Sequence, residues 1–115
     1  MEKKTYKLFI SQPMVDKTDE QIKAERARIM TVVQAKLKER LQLEETPNVE
    51  LIDSFFEGAP HDAKPLWFLG KSFQCLANAD VVYFGGEWAK YRGCNMENMA
   101  AKKYLEPTGA VIIEE

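Results

Sequence analysis

One hundred and fifteen residues, 45% apolar and 30% charged, are enough for one globular domain and too few for two, and they exclude a disordered or low-complexity chain. Sixteen Lys and Arg against eighteen Asp and Glu leave a net charge of −2, so no general basic field draws in nucleic acid or an anionic membrane. The longest apolar runs, such as Val81–Phe84 and Ala110–Ile113, fall far short of the ~20 residues that span a bilayer. The start Met1-Glu2-Lys3-Lys4-Thr5 carries no apolar signal core, which makes the cytoplasm the expected location. Cys75 and Cys94 are too few for a disulfide framework, and His61, Asp62 and Glu57 show no ligand spacing, so no metal or cofactor is expected.

In chain order, Tyr6–Ile10 reads as a strand that runs into the loop Ser11-Gln12-Pro13-Met14. Thr18-Asp19-Glu20-Gln21 fits a capping box, and Ile22, Ile29, Val33, Leu37 and Leu41 mark the apolar stripe of a helix about 23 residues long that begins there. After Pro47, Val49–Asp53 reads as a second strand, followed by a long loop from Ser54 to Lys64. Pro65 suits a first helical turn, and Leu66, Leu69, Phe73 and Leu76 form the stripe of a second helix. Asp80–Phe84 is the third strand, broken by Gly85-Gly86. Gly93-Cys94-Asn95 opens a third helix through about Leu105, and Gly109–Ile113 is the fourth strand.

Strands alternating with helices imply a parallel sheet wrapped on both sides. The expected fold is a single α/β domain over residues 1–115, three-layered and doubly wound in the Rossmann-like or flavodoxin-like manner, with four parallel strands in the order 2-1-3-4. Ligands of such sheets bind beyond the carboxyl ends of the strands, which selects Ser11–Met14, Asp53–Phe56 and Gly85–Glu97.

Each of these places has a chemical and a structural reading. Gly85-Gly86 permits close approach to a ligand or makes a turn. Trp88 can stack on a base or pack against a helix. Arg92, Gly93 and the amides of a helix start can hold a phosphate. Alternatively, Asn95 caps that helix and Glu97 complements its dipole, which would also keep Glu97 ionised. Ser11, Gln12, Pro13 and Met14 present polar groups at the mouth of the same cleft. Asp53 is expected to cap a turn after the second strand or to face the ligand. Phe55, Phe56, Trp67 and Phe68 exceed what one small core needs and suit a lid or a subunit interface, so a homo-oligomer, most simply a dimer, is expected.

The ordered strings Phe9-Ile10-Ser11-Gln12-Pro13-Met14, Ala79-Asp80-Val81-Val82 and Gly86-Glu87-Trp88, followed by Arg92-Gly93-Cys94 and Glu97, resemble the nucleoside 2-deoxyribosyltransferase-like superfamily. More narrowly they are similar to its small branch common in bacteria and their phages, and the resemblance spans nearly the whole chain. It implies that Glu97 is the nucleophile that attacks the anomeric carbon of a nucleoside or nucleotide, releasing the base to water or exchanging it. It implies further that Ser11, Gln12, Pro13 and Met14 hold the sugar or phosphate. The chain departs from the family at Ser72, where relatives carry an acidic residue, and at Tyr91, where they carry a small hydroxyl or acidic one. A non-catalytic module that senses or sequesters a nucleotide, including one derived from NAD, is the alternative reading.

Overall fold

The computed structural model describes residues 4–13, 17–53 and 61–115. Its strands are β1 (Thr5–Ser11), β2 (Asn48–Leu51), β3 (Val81–Phe84) and β4 (Val111–Glu114), and its longer helices are α1 (Asp19–Arg40), α2 (Pro65–Leu76) and α3 (Arg92–Ala100). The strands form one four-stranded parallel sheet in the order β2-β1-β3-β4, the expected architecture. β1 lies between β2 and β3, with Leu8 opposite Leu51 on one side and Val81 on the other.

That order fixes where the helices go. From β1 to β2 the chain steps one way, and from β2 to β3 it steps back across β1, so right-handed crossovers put α1 on one face and α2 on the other. The step from β3 to β4 continues in the second direction and brings α3 to the face that carries α2. Alternation along the strands feeds both layers. Leu8, Ile10, Val81, Tyr83 and Ile113 pack with Ile29, Val33 and Leu37 of α1, while Phe9, Val82 and Phe84 pack with Leu76 and Ala101 on the opposite face. The order in which strands are added reverses at β1 and β3, which run parallel, so the carboxyl ends of these two strands flank the crevice of a doubly wound sheet. Among the described residues, no helix is long and apolar enough to cross a membrane.

The helix ends follow local chemistry. Thr18 is the N-cap of α1: its Oγ1 accepts from the Gln21 amide at 3.1 Å, and Gln21 Oε1 accepts from the Thr18 amide at 2.9 Å. Thr18→Ala should therefore lower stability by about 1 kcal/mol, read from denaturant titration, and a value near zero would mean that the box is idle. Leu41, placed in the stripe by its spacing, lies just past the helix as its C-cap and is 39% exposed. Beyond α3 the chain continues as a π-turn over Ala101–Leu105 and a 3-10 turn over Glu106–Thr108. Gly109 then stops it at φ +104, a conformation that a side chain would strain.

Candidate active site

Ser11 is the last residue of β1 rather than the first of the loop, opposite Phe84 of β3. Leu8 and Ile10 face α1, so by alternation Phe9 and Ser11 face α3, and the next residue, Gln12, turns back toward α1. The expected single group at a common mouth is thus split between the two sides of the sheet.

On the α3 side stands Glu97. The buried residues of this helix are Cys94, Glu97 and Asn98, three members of one face turned toward the sheet. Glu97 is 9% exposed and forms part of the wall of a cleft of about 660 Å³. The cleft is lined by Lys64, Leu66, Phe68, Leu69 and Ser72 from the start and body of α2, and by Arg92, Gly93 and Met96 from α3. Phe68 and Met96 are 39% and 46% exposed, so the apolar wall is open to an incoming group. Lys64 and Arg92 place two cations on this lining, and the N-cap residues of both helices, Lys64 and Tyr91, make no side-chain capping bond. In α2 the first turn starts with Pro65, which has no amide hydrogen, and the Trp67 amide donates to the Lys64 carbonyl at 2.9 Å, so it is the first-turn amides of α3 that face solvent or a ligand.

Glu97 does not behave as its helix position would suggest. It is the sixth residue of α3, beyond the first turn where the helix dipole acts, so the dipole neither needs it nor keeps it ionised. Burial instead pushes its carboxyl up to about 7, and the Ser11 hydroxyl beside it pulls in the opposite direction. Ser11 is 2% exposed, and its Oγ, like Asn98 Nδ2, is buried without a hydrogen-bond partner of good geometry. Cys94 lies in the same cluster, where burial raises its thiol and the Ser11 hydroxyl lowers it.

Gln12 belongs to the α1 side. Its Oε1 accepts from Arg26 Nε at 3.0 Å, and its Nε2 donates to Glu25 Oε2 at 3.1 Å, which also accepts from Lys17 Nζ at 3.0 Å. Arg26, 7% exposed, fills the position of the α1 stripe between Ile22 and Ile29. Burial lowers its guanidinium, and the negative charge of Asp53 raises it. Arg26 and Asp53 share the lining of a second cleft, also about 660 Å³, with Ile22, Lys23, Met30 and Leu51. Arg26 is the residue that sequence reading missed. Its signal is the seven-residue gap between Ile22 and Ile29 in an otherwise regular stripe.

The remaining expected site residues that the structure describes make the following contacts. Gly85 donates its amide to the Ser11 carbonyl at 2.8 Å, and a Cβ on it would stand 3.2 Å from the Gln12 Cβ, so the close approach it permits is between the ends of β1 and β3. Gly86 is exposed, and the left-handed residue of this turn is Glu87 at φ 60. Trp88 packs on Phe84 with ring centroids 5.3 Å apart and is not among the residues lining the Glu97 cleft. Asn95 does not cap α3 but donates its side-chain amide to the carbonyls of Ala89 and Tyr91, both at 2.8 Å. This ties the turn around Trp88 to the helix that carries Glu97. Pro13 is buried beside Gln12, while Met14, Phe55 and Phe56 lie outside the described residues.

Of the expected site, Ser11, Arg92, Gly93 and Glu97 come together on one side of the sheet. Gln12 and Asp53 join Arg26 on the other. No family model, curated protein or solved structure matches this chain.

Proposed function

We propose that the chain cleaves or transfers the N-glycosidic bond of a nucleoside or nucleotide, with Glu97 as nucleophile. The observation that carries the reading is a carboxyl 9% exposed in the wall of a ligand-sized cleft, with no salt bridge to another described residue. Ligand pockets span roughly 300–1,000 Å³ and are mostly apolar with a few convergent polar groups, a description this cleft meets. The resemblance to the nucleoside 2-deoxyribosyltransferase-like superfamily supplies the reaction class. One Glu97 oxygen attacks the anomeric carbon, and the C–N bond breaks with its electron pair leaving on the base. Water or a second base then displaces the carboxylate from the glycosyl ester. Phe68, Leu66 and Met96 would wall the base, in place of Trp88. Arg92, Lys64 and the first-turn amides of α3 would meet a phosphate.

A second reading, a nucleotide-binding module without turnover, is favoured by one feature. Glu97 is the only carboxylate among the described residues lining the cleft, and Ser72 stands there where the related enzymes carry an acid. No second carboxyl is then at hand to protonate the departing base. The experiment that separates the readings is a panel of nucleosides, deoxynucleotides and NAD derivatives incubated with the protein, with free base resolved from intact ligand. Release that scales with protein concentration supports the enzyme; tight binding with no release supports the module.

The phosphate assignment has its own test. Arg92→Ala should weaken phosphorylated ligands by about tenfold and the matching nucleosides hardly at all. Equal losses for both would remove Arg92 from the phosphate. Since few cations are involved, salt should weaken binding only modestly.

A further inference from the structure

We propose that Ser11 is a positioning residue for Glu97: its buried hydroxyl is the donor that the Glu97 carboxylate takes up when it carries charge in the cleft. The inference rests on the catalytic reading of Glu97 and moves Ser11 from ligand contact to support of the reacting group.

The first observation is parity. Ser11 ends β1 on the face that α3 covers, so its side chain points away from solvent and toward the helix that carries Glu97. The second is that its hydroxyl is orphaned. Ser11 is 2% exposed, and among the described residues its Oγ has no hydrogen-bond partner of good geometry, in a fold where buried polar groups are nearly always paired. A methyl group in its place would avoid that desolvation cost, so the stability of the domain gives the hydroxyl no use. The third is the neighbourhood. The side chains whose charge state Ser11 influences are Glu97 and Cys94, both on the buried face of α3. An ionised carboxylate is a stronger acceptor and forms shorter bonds, so ionisation draws the hydroxyl in.

The charged groups around Glu97 leave this role to Ser11. From α3 come Cys94, whose thiol is raised and so neutral near pH 7, and Arg92 at the cleft lining. From the α2 side come Lys64 and the uncharged Ser72, also on the cleft lining. Lys64 and Arg92 are both solvent-exposed, where water screens them, whereas Ser11 is buried with the carboxyl.

The test is a direct titration of the Glu97 side-chain carbon by NMR in the wild-type protein and in Ser11→Ala, with thermal melting beside it. Ser11→Ala should stay folded with a melting temperature equal to or above wild type, and its Glu97 should titrate higher by about one pH unit. Ser11→Thr, which keeps the hydroxyl, should return the titration toward wild type. Asn98→Ala, which removes the other orphaned donor, should leave it unchanged. A folded Ser11→Ala protein with Glu97 titrating at the wild-type pH overturns the proposal. The titration needs no turnover, so it separates the two assignments. A shifted titration in a protein that releases no base upholds Ser11 and sinks the enzyme. Where base is released, the rising limb of its pH profile should move alkaline by the same interval in Ser11→Ala.

Discussion

Glu97→Ala is expected to lower base release by roughly three or more orders of magnitude while ligand affinity stays within a few-fold. The reason is the division of labour in the cleft. Lys64, Arg92, Leu66, Phe68 and Met96 line the cleft beside Glu97, and in the proposed reading they hold the ligand without the carboxyl. Glu97→Gln keeps the shape and removes the nucleophile, so it should bind and not react. The pH profile then discriminates between chemical roles for the same residue. A nucleophile must be ionised, and burial has pushed this carboxyl up to about 7, so turnover should rise as the pH passes through about 7 and level off above it. A general acid would give the opposite slope. In a binding module the wild-type protein releases no base, and losing the Glu97 acceptor costs about 1–3 kcal/mol of affinity. A folded Glu97→Ala protein with undiminished base release would defeat the catalytic assignment.

Backbone architecture was legible because each strand and each crossover carries its own signal. Val81–Phe84 is continuously apolar because the strand is buried on both faces, and the helices between strands leave few topologies open. The capping box at Thr18 is a local device that needs no tertiary context, and it formed as its residues dictate. The strand ends were less legible. Ser11, polar and followed by Gln12 and Pro13, reads as loop, yet it continues the ladder to Phe84. One residue of extra strand decides everything about the site, because it assigns Ser11 to the Glu97 side and Gln12 to the Arg26 side.

Part of the grouping of the candidate site was legible in the sequence, and its electrostatics were not. Arg92, Gly93 and Glu97 are close in sequence on one helix, so their shared cleft follows from helical geometry. The contribution of α2, Lys64 through Ser72, is a tertiary fact that the order of residues does not contain. Trp88 attracted attention as a large ring near a strand end, but the turn after Gly86 folds it back onto Phe84. Arg26 escaped because a lone charge among exposed Lys and Glu residues looks like solvated helix surface. The partner Gln12, just past β1, and the charge of Asp53, just past β2, help to make its burial tenable.

Glu97→Gln is expected to stabilise the domain above neutral pH and to have little effect below pH 4.5. The ordinary value of the carboxyl is 4.5, and in the fold it is raised to about 7, so between these values the native state holds a proton that the unfolded chain has released. Stability therefore falls as the pH rises through this window. It is unaffected by Glu97 below the window, where both states are protonated, and fully reduced above it, where both are ionised and the folded state bears a buried charge. A shift of this size corresponds to roughly 3 kcal/mol. Glutamine mimics the neutral acid and does not titrate, so the variant and the wild type should match at pH 4 and differ by about that amount at pH 8. For a domain of this length the difference is on the order of 10 °C in Tm. All other titrating groups are common to both proteins, and subtracting the two curves leaves Glu97 alone. A difference that stays flat from pH 4 to pH 8 would mean that the carboxyl is solvated in solution and that the cleft imposes no cost on its charge. A difference that grows as described would show that ionised Glu97 opposes folding, so that its stabilisation must come from the ligand, from a developing positive charge at the anomeric carbon or from the Ser11 hydroxyl.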